Sequence, residues 1–189
     1  MFKNELENTL KKLAGIFTLK QYARKTNSKV KLPKLSPNTP VWNALDFFCE
    51  NGCDCVSIGG DKCVDHSTVL KVRIPFFLLL AELESRIFRI HEWSGKDISV
   101  LNEKYLNELN KELLNSDLIK LQKQYKNRSE FKNDLKAVSS FRNVIMHVNK
   151  RMERELKIKT VYEGKKQVFK LLQAFQEILD GVKPIKVKK

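Results

Sequence analysis

The feature of this sequence that most constrains its fold is a series of apolar stripes at helical spacing, which runs from residue 75 to residue 181. The first stripe starts at Pro75, repeats every three or four residues as far as Ile90, and gives way to Trp93-Ser94-Gly95. This spacing lines one side of an α-helix with core residues, and proline suits the first turn. We therefore predict a helix from about residue 75 to about residue 93.

Three further stretches repeat the pattern. Their apolar side chains predict helices over residues 99–125, from Ser129 onward, and from Gly164 to Gly181, with a break or a new cap at residues 115–117. Four helices with apolar faces and short connections are typical of an antiparallel bundle. The sequence thus predicts a mainly α fold, in which an antiparallel four-helix bundle occupies residues 75–181.

The residues before the bundle have a different pattern. An apolar stripe predicts a short helix over residues 2–17. Residues 20–40 are basic and contain three prolines in their second half, which predicts an extended linker there. A helix then opens at Thr39-Pro40, with threonine as its cap and proline as its first residue, and Asn51-Gly52 ends it.

A small α+β segment completes this region. Residues 53–58 are predicted to form a strand, Gly59-Gly60-Asp61 a turn, and residues 62–72 one or two more strand-like pieces rich in valine. The four predicted parts of the chain are an N-terminal helix with a basic linker, the small α+β segment, the bundle and a basic tail, at residues 1–35, 36–74, 75–181 and 182–189.

The charge of the chain indicates the class of its partner. There are 36 Lys and Arg against 22 Asp and Glu, a net charge of +14, which favours polyanions such as nucleic acid. The excess lies at the ends, because residues 1–40 carry +7 and residues 71–189 carry +11, whereas residues 41–70 carry −4. No apolar run approaches the roughly 18 residues of a spanning helix, and the N-terminus lacks a secretory signal. These features are typical of a cytoplasmic protein without a membrane partner.

Four clustered cysteines raise the question of a metal site. Thiolates and an imidazole could hold zinc tetrahedrally, but the cluster lacks a Cys-x-x-Cys knuckle. In a reducing compartment the spacing favours small hydrophobic side chains packed around a sheet, so we predict neither a metal nor a disulfide. A zinc site in a DNA-binding protein is the alternative. The residues concerned are Cys49, Cys53, Cys55, Cys63 and His66.

The strongest chemical signal is the segment from Ser140 to Asn149. A fixed arginine and a titratable histidine are what metal-free cleavage of a phosphodiester needs, because Arg142 can bind the phosphate through two hydrogen bonds while His147 gives or takes a proton. Asn143 and His147 share a helix face at i, i+4, and Arg142 lies about 140° from His147 around an ideal helix but reaches the same cleft. RNA supplies its own nucleophile in the 2′-hydroxyl, so no cofactor is expected. The alternative is a surface arginine beside a histidine that caps a helix or lines an interface.

This segment resembles a known family. Phe-Arg-Asn-Val-Ile-Met-His at residues 141–147 is similar to the Arg-polar-x-x-x-His signature of HEPN domains, and residues 80–87 are similar to the helix that opens many of them. The resemblance, over residues 75 to about 181, implies a homodimer whose arginines and histidines share one cleft. It implies a ribonuclease of the toxin or antiviral kind, which cuts RNA without metal and leaves a 2′,3′-cyclic phosphate. Arg142 would bind the scissile phosphate, His147 would act as general acid or base, and Asn143 would orient either of them.

The resemblance also bears on regulation. Some of these toxins carry tyrosine two residues after the histidine, where a partner nucleotidyltransferase modifies it, but this chain has Asn149 there. That form of neutralisation is therefore not expected here, and the identity of an antitoxin or regulatory partner stays open. The segment at residues 36–74 is similar in layout to one CBS motif, which implies either an adenine nucleotide bound there or a packing module.

RNA contacts are predicted in the basic parts of the chain, where lysine and arginine can follow phosphates without reading sequence. The residues are Lys20, Arg24, Lys25, Lys150 and Arg151. A second hypothesis from a different class remains open, in which the bundle is a dimeric scaffold without catalysis that binds RNA or a nucleotide.

Overall fold

A computed structural model describes residues 3–26, 31–71, 73–97, 99–100, 106–146 and 158–182. These residues form a mainly helical structure with one small antiparallel sheet, which confirms the predicted fold class at that level. The helices are α1 Lys3–Ile16, α2 Val41–Asn51, α3 His66–Lys71, α4 Ile74–Trp93, α5 Leu106–Asn115, α6 Arg128–Met146 and α7 Ile158–Gly181. Two 3₁₀ helices lie at Leu19–Tyr22 and Asp117–Leu121, and the strands are β1 Arg24–Lys25, β2 Cys55–Gly59 and β3 Lys62–Asp65. Every helix within these ranges is too short or too polar to span a lipid bilayer.

The sheet has the order β1-β3-β2, with both pairs antiparallel. Val56 pairs with Val64 on one face, and Cys55 pairs with Asp65 on the other. The predicted turn between β2 and β3 is confirmed. Gly59 and Gly60 have φ angles of 109° and 59° there, a conformation that side chains other than glycine rarely adopt.

The basic segment predicted as an extended linker contributes to the sheet instead. Its residues form the first 3₁₀ helix and β1, and its later part follows β2, where Ser57 N donates to Pro33 O at 2.7 Å and Leu35 N donates to Ser57 O at 2.9 Å. The prolines correctly excluded a long helix. A two-residue strand is too short to leave a period in the sequence, so the pairing could not be seen there.

The strand-like prediction for residues 62–72 is wrong beyond Asp65. Asp65 ends β3 and caps α3, because its carboxylate accepts hydrogen bonds from Thr68 N and Ser67 Oγ, both at 2.6 Å. The valines of this stretch favoured strand, whereas the cap that overrides them lies in Asp-His-Ser-Thr.

Several helix ends also differ from the prediction. Pro40 is the cap of α2 rather than its first residue. Helix α6 begins one residue before Ser129, because Asn127 Oδ1 accepts the hydrogen bond of Glu130 N at 2.8 Å. Helix α7 begins at Ile158, so Gly164 lies inside it, and the predicted end at Gly181 is confirmed.

The chain divides into two compact units. The first comprises Met1–Leu6, Leu78–Ser140 and Lys166–Lys189, and the second comprises Glu7–Phe77 and Phe141–Lys165. The second therefore takes in residues 141–165, which the apolar pattern had placed in the bundle.

Each unit has its own apolar core. In the first, the ring of Phe131 meets Tyr125 and Phe175 edge to face, with centroids 4.8 and 6.0 Å apart. In the second, helix α2 and the sheet contribute fully buried side chains. These are Val41, Ala44, Leu45, Val56 and Val64.

Candidate functional site

The last turns of α6 carry two of the three residues predicted to be catalytic. Phe141 and Ile145 are buried there, whereas Arg142 is half-buried and Asn143 is exposed. The buried positions are four apart and so share one helix face. Asn143 consequently lies away from that apolar face, whereas the half-buried Arg142 lies at its edge.

Phe141 fixes the rotation of α6 at this point. Its ring meets Phe76 edge to face with centroids 6.2 Å apart, and it lies directly against Gly164 of α7. A Cβ atom at position 164 would come within 2.5 Å of Phe141 Cδ2, so only glycine fits under the ring. The neighbouring Arg142 is thereby held at a defined angle around the helix axis.

The third residue, His147, lies outside the described residues, as do Lys150 and Arg151. Within the described residues the candidate site therefore consists of a guanidinium and an exposed amide on α6. Those two groups can bind a phosphate, but neither transfers a proton at neutral pH. Proton transfer would need a further group, and His147 is the residue that the sequence predicts for it.

The other predicted RNA-binding residues lie in the second unit. Lys20 is exposed on the first 3₁₀ helix, and Lys25 is exposed on β1. Arg24 is also on β1, and its guanidinium forms an ion pair with Asp65 at 2.8 Å although its side chain is 65% exposed. A phosphate would have to compete with this carboxylate for Arg24.

Asp65 connects three parts of the sheet region. Burial by itself would raise the pKa of its carboxyl group, but hydrogen bonds from Ser67 and Thr68 and the charge of Arg24 outweigh burial and lower that pKa below its usual value. Asp65 is therefore ionised at neutral pH and ties β1 to the start of α3.

The cysteines do not form a metal site in the described part of the chain. There, no group of three or more His, Cys, Asp or Glu side chains is arranged to bind an ion. Burial and the contact with Cys63 raise the pKa of the Cys55 thiol to about 11, so it stays protonated at neutral pH. Cys63 is buried, as the packing interpretation predicted, whereas the other three cysteines are half-buried.

A buried polar cluster in the first unit was missed by the sequence analysis. Arg86 is fully buried, its guanidinium lies 2.8 Å from the carboxylate of Glu82, and it donates a hydrogen bond to Gln176. Gln176 in turn donates to Asp180 at 2.8 Å. A signal for this cluster existed, because Arg86 falls between Leu83 and Ile90 on the apolar stripe of α4.

The first unit also has a polar cavity of about 670 Å³ between the second 3₁₀ helix and the start of α6. Lys120, Lys126 and Arg128 line it, and Asp117 forms an ion pair with Lys120 at 2.6 Å. These cations could bind a small anion, and they come from the basic stretch between α5 and α6 and from the first residue of α6.

Comparison with known proteins gives no match for the chain among family models, curated proteins or solved structures. The resemblance to HEPN and CBS proteins therefore depends on the quoted residues alone.

Proposed function

We propose that this chain is a metal-independent endoribonuclease of the HEPN type, with Arg142, Asn143 and His147 as its catalytic residues. The observation that carries the proposal is that the half-buried Arg142 and the exposed Asn143 follow each other on α6, next to a core anchored by Phe141. The net charge of +14 supports a polyanionic substrate. A homodimer with one shared cleft is part of the proposal.

In this mechanism the 2′-hydroxyl of RNA attacks the adjacent phosphorus and the 5′-oxygen leaves. The products are a 2′,3′-cyclic phosphate and a 5′-hydroxyl. Arg142 binds the phosphate oxygens and stabilises the charge that grows on them, and His147 transfers the proton. Asn143 orients the phosphate or the imidazole.

The test is cleavage of an unstructured, end-labelled RNA in the presence of EDTA. We expect Arg142→Ala and His147→Gln each to slow cleavage at least about 100-fold, because each removes a group that acts on the reacting atoms. Arg128→Ala, at the other end of α6, and His66→Gln, beside the sheet, are matched controls that should leave the rate unchanged. The product end is identified by its resistance to phosphatase until the cyclic phosphate is opened.

Two outcomes would reject the proposal. One is wild-type protein that binds RNA without cutting it, and the other is cleavage that survives both substitutions. If the cleavage rate fell equally in Arg142→Ala and Arg128→Ala, or in His147→Gln and His66→Gln, unfolding would explain the loss. The thermal midpoint of each variant is therefore compared with that of the wild type.

A second candidate function is a regulatory module without catalysis, which binds RNA or an adenine nucleotide. The order of α2, β2 and β3, close to the layout expected of a CBS-like segment, favours a nucleotide at residues 36–74. Millimolar AMP or ATP should then raise the thermal midpoint, because a ligand that binds only the folded state stabilises it. An unchanged midpoint would remove this candidate.

A further inference from the structure

A groove lies between α5 and α6, wholly within the first unit, and its lining includes neither Arg142 nor Asn143. Its volume is about 510 Å³, which is in the range of ligand-binding clefts. Leu114 and Leu135 give it an apolar surface, and Lys111, Lys132 and Lys136 stand around that surface.

Unlike several other cations of the first unit, the three groove lysines have no acidic partner among the described residues. All three are exposed, and no carboxylate of the described residues lies within ion-pair distance of them. By contrast, Glu112 of α5 is paired with Lys96, and Glu130 of α6 is paired with Lys170. The groove therefore presents three positive charges that the protein does not neutralise itself.

Asn110 adds a specific polar group. Its side chain lines the groove, the residue is only 8% exposed, and its Oδ1 accepts no hydrogen bond from the described residues. A buried acceptor without a donor is unfavourable, and an N–H group on a ligand would satisfy it.

We propose that this groove binds a single-stranded RNA segment. The lysines contact its phosphates, an unstacked base lies against Leu114 and Leu135, and a base N–H group donates to Asn110. Charge complementarity supports this occupant, because the phosphates of RNA match the lysines. Its base faces match the leucines, and its base N–H groups match the Asn110 acceptor. The choice of RNA over another nucleic acid rests on the proposed function, whereas the groove itself does not.

The first experiment measures binding rather than cleavage. A fluorescent 2′-O-methyl RNA of about ten nucleotides, which lacks the attacking hydroxyl, is titrated with the full chain and followed by anisotropy. We expect K111A/K132A/K136A to weaken binding at least about tenfold and to flatten the salt dependence, the slope of log K against log salt, by about 2. Alanine is a strong helix former, so these changes on α5 and α6 should leave the fold intact.

The matched control is K120A/K123A/K126A, which removes the same charge from the neighbouring basic stretch. If both triple variants lose equal affinity, binding follows net charge alone and the groove proposal is overturned. If the groove variant alone loses affinity, the proposal is upheld.

The second experiment tests the contact with the base. The wild-type chain should prefer the 2′-O-methyl RNA over an abasic phosphodiester of equal length, and Asn110→Ala should reduce that preference by about threefold to tenfold, the size of one hydrogen bond. The salt dependence should stay as in wild type. A preference that Asn110→Ala leaves unchanged would contradict the base contact.

Failure of this proposal and failure of the proposed nuclease are separable. A chain that binds the 2′-O-methyl RNA in the groove but cuts no RNA supports the groove and rejects the nuclease. A chain that cuts RNA, with both lysine variants binding equally, rejects the groove and leaves the nuclease standing.

Discussion

Cations in two regions of the molecule have different surroundings. Near the sheet, two cations are paired with carboxylates of the acidic stretch, because Lys165 pairs with Asp46 and Arg24 pairs with Asp65. In the helical unit, Lys111, Lys132 and Lys136 face a groove without a described carboxylate in reach. Net charge alone would not separate these cases. The comparison teaches that the groove on α5 and α6 offers a polyanion three cations that no described carboxylate pairs with, whereas Lys165 and Arg24 are already engaged by the protein's own acids.

This contrast predicts that the stability lost on removing a cation or its partner falls as the cation becomes more exposed. The largest effect is expected at Arg86, which is fully buried beside Glu82. Arg86→Ala removes the guanidinium that pairs with Glu82 and donates to Gln176. Glu82 then keeps its longer 3.6 Å pair with Arg89, and the change should cost about 3–5 kcal/mol. Urea denaturation measures the change, and a loss below about 1 kcal/mol would show that the cluster is not a core element.

Asp46→Asn should have the next largest effect. Lys165 is 7% exposed, and its ammonium donates to Asp46 and to Trp42 O, the latter at 3.2 Å. Removing the negative charge leaves a buried ammonium with a weaker partner, which should cost about 1.5–3 kcal/mol. Lys165→Met in the same background should recover part of the loss, because it removes the buried charge. No recovery would mean that Asp46 acts through another contact.

Asp65→Ala should cost about 1–2 kcal/mol at neutral pH, since it removes the cap of α3 and the ion pair with Arg24. The folded-state pKa of Asp65 is lowered, so its contribution is present above the unfolded pKa of about 4 and is lost as the pH falls through the folded value. The difference between wild type and variant should therefore shrink on acidification. A difference that stays constant down to about pH 2 would contradict this assignment.

The smallest effect is expected at the groove. Lys132→Ala and Lys136→Ala should each change the free energy of unfolding by less than about 0.5 kcal/mol, because both side chains are exposed. Destabilisation beyond about 1 kcal/mol by either would place these lysines with the structural cations and would erase the contrast between paired and unpaired cations.

The sequence predicted the long helices, whose apolar residues repeat at helical spacing, and missed the elements that depend on single contacts. The stripes located both ends of α4 and the start of α6 to within one or two residues. The cap at Asp65 is a local contact that produces no repeated apolar pattern, so the valines of residues 62–72 led to a strand prediction. The catalytic roles at the site stay predictions.

Close approach of helices was also invisible in the sequence. The apolar pattern predicts the last helix only from Gly164, since glycine lowers helix propensity, but Gly164 lies inside α7 and accommodates the ring of Phe141. The position of Arg86 on the apolar stripe of α4 signals its burial, but nothing along the chain reveals that Gln176 lies opposite it.

Because residue 164 is glycine, the ring of Phe141 on α6 can pack directly against the backbone of α7. An alanine in the middle of a helix ordinarily strengthens it, yet here the added methyl group would collide with an aromatic ring and tilt or lift the segment that bears Arg142. A change to alanine at position 164 would thus displace Arg142, for which we propose phosphate binding, although α7 carries none of the proposed chemistry.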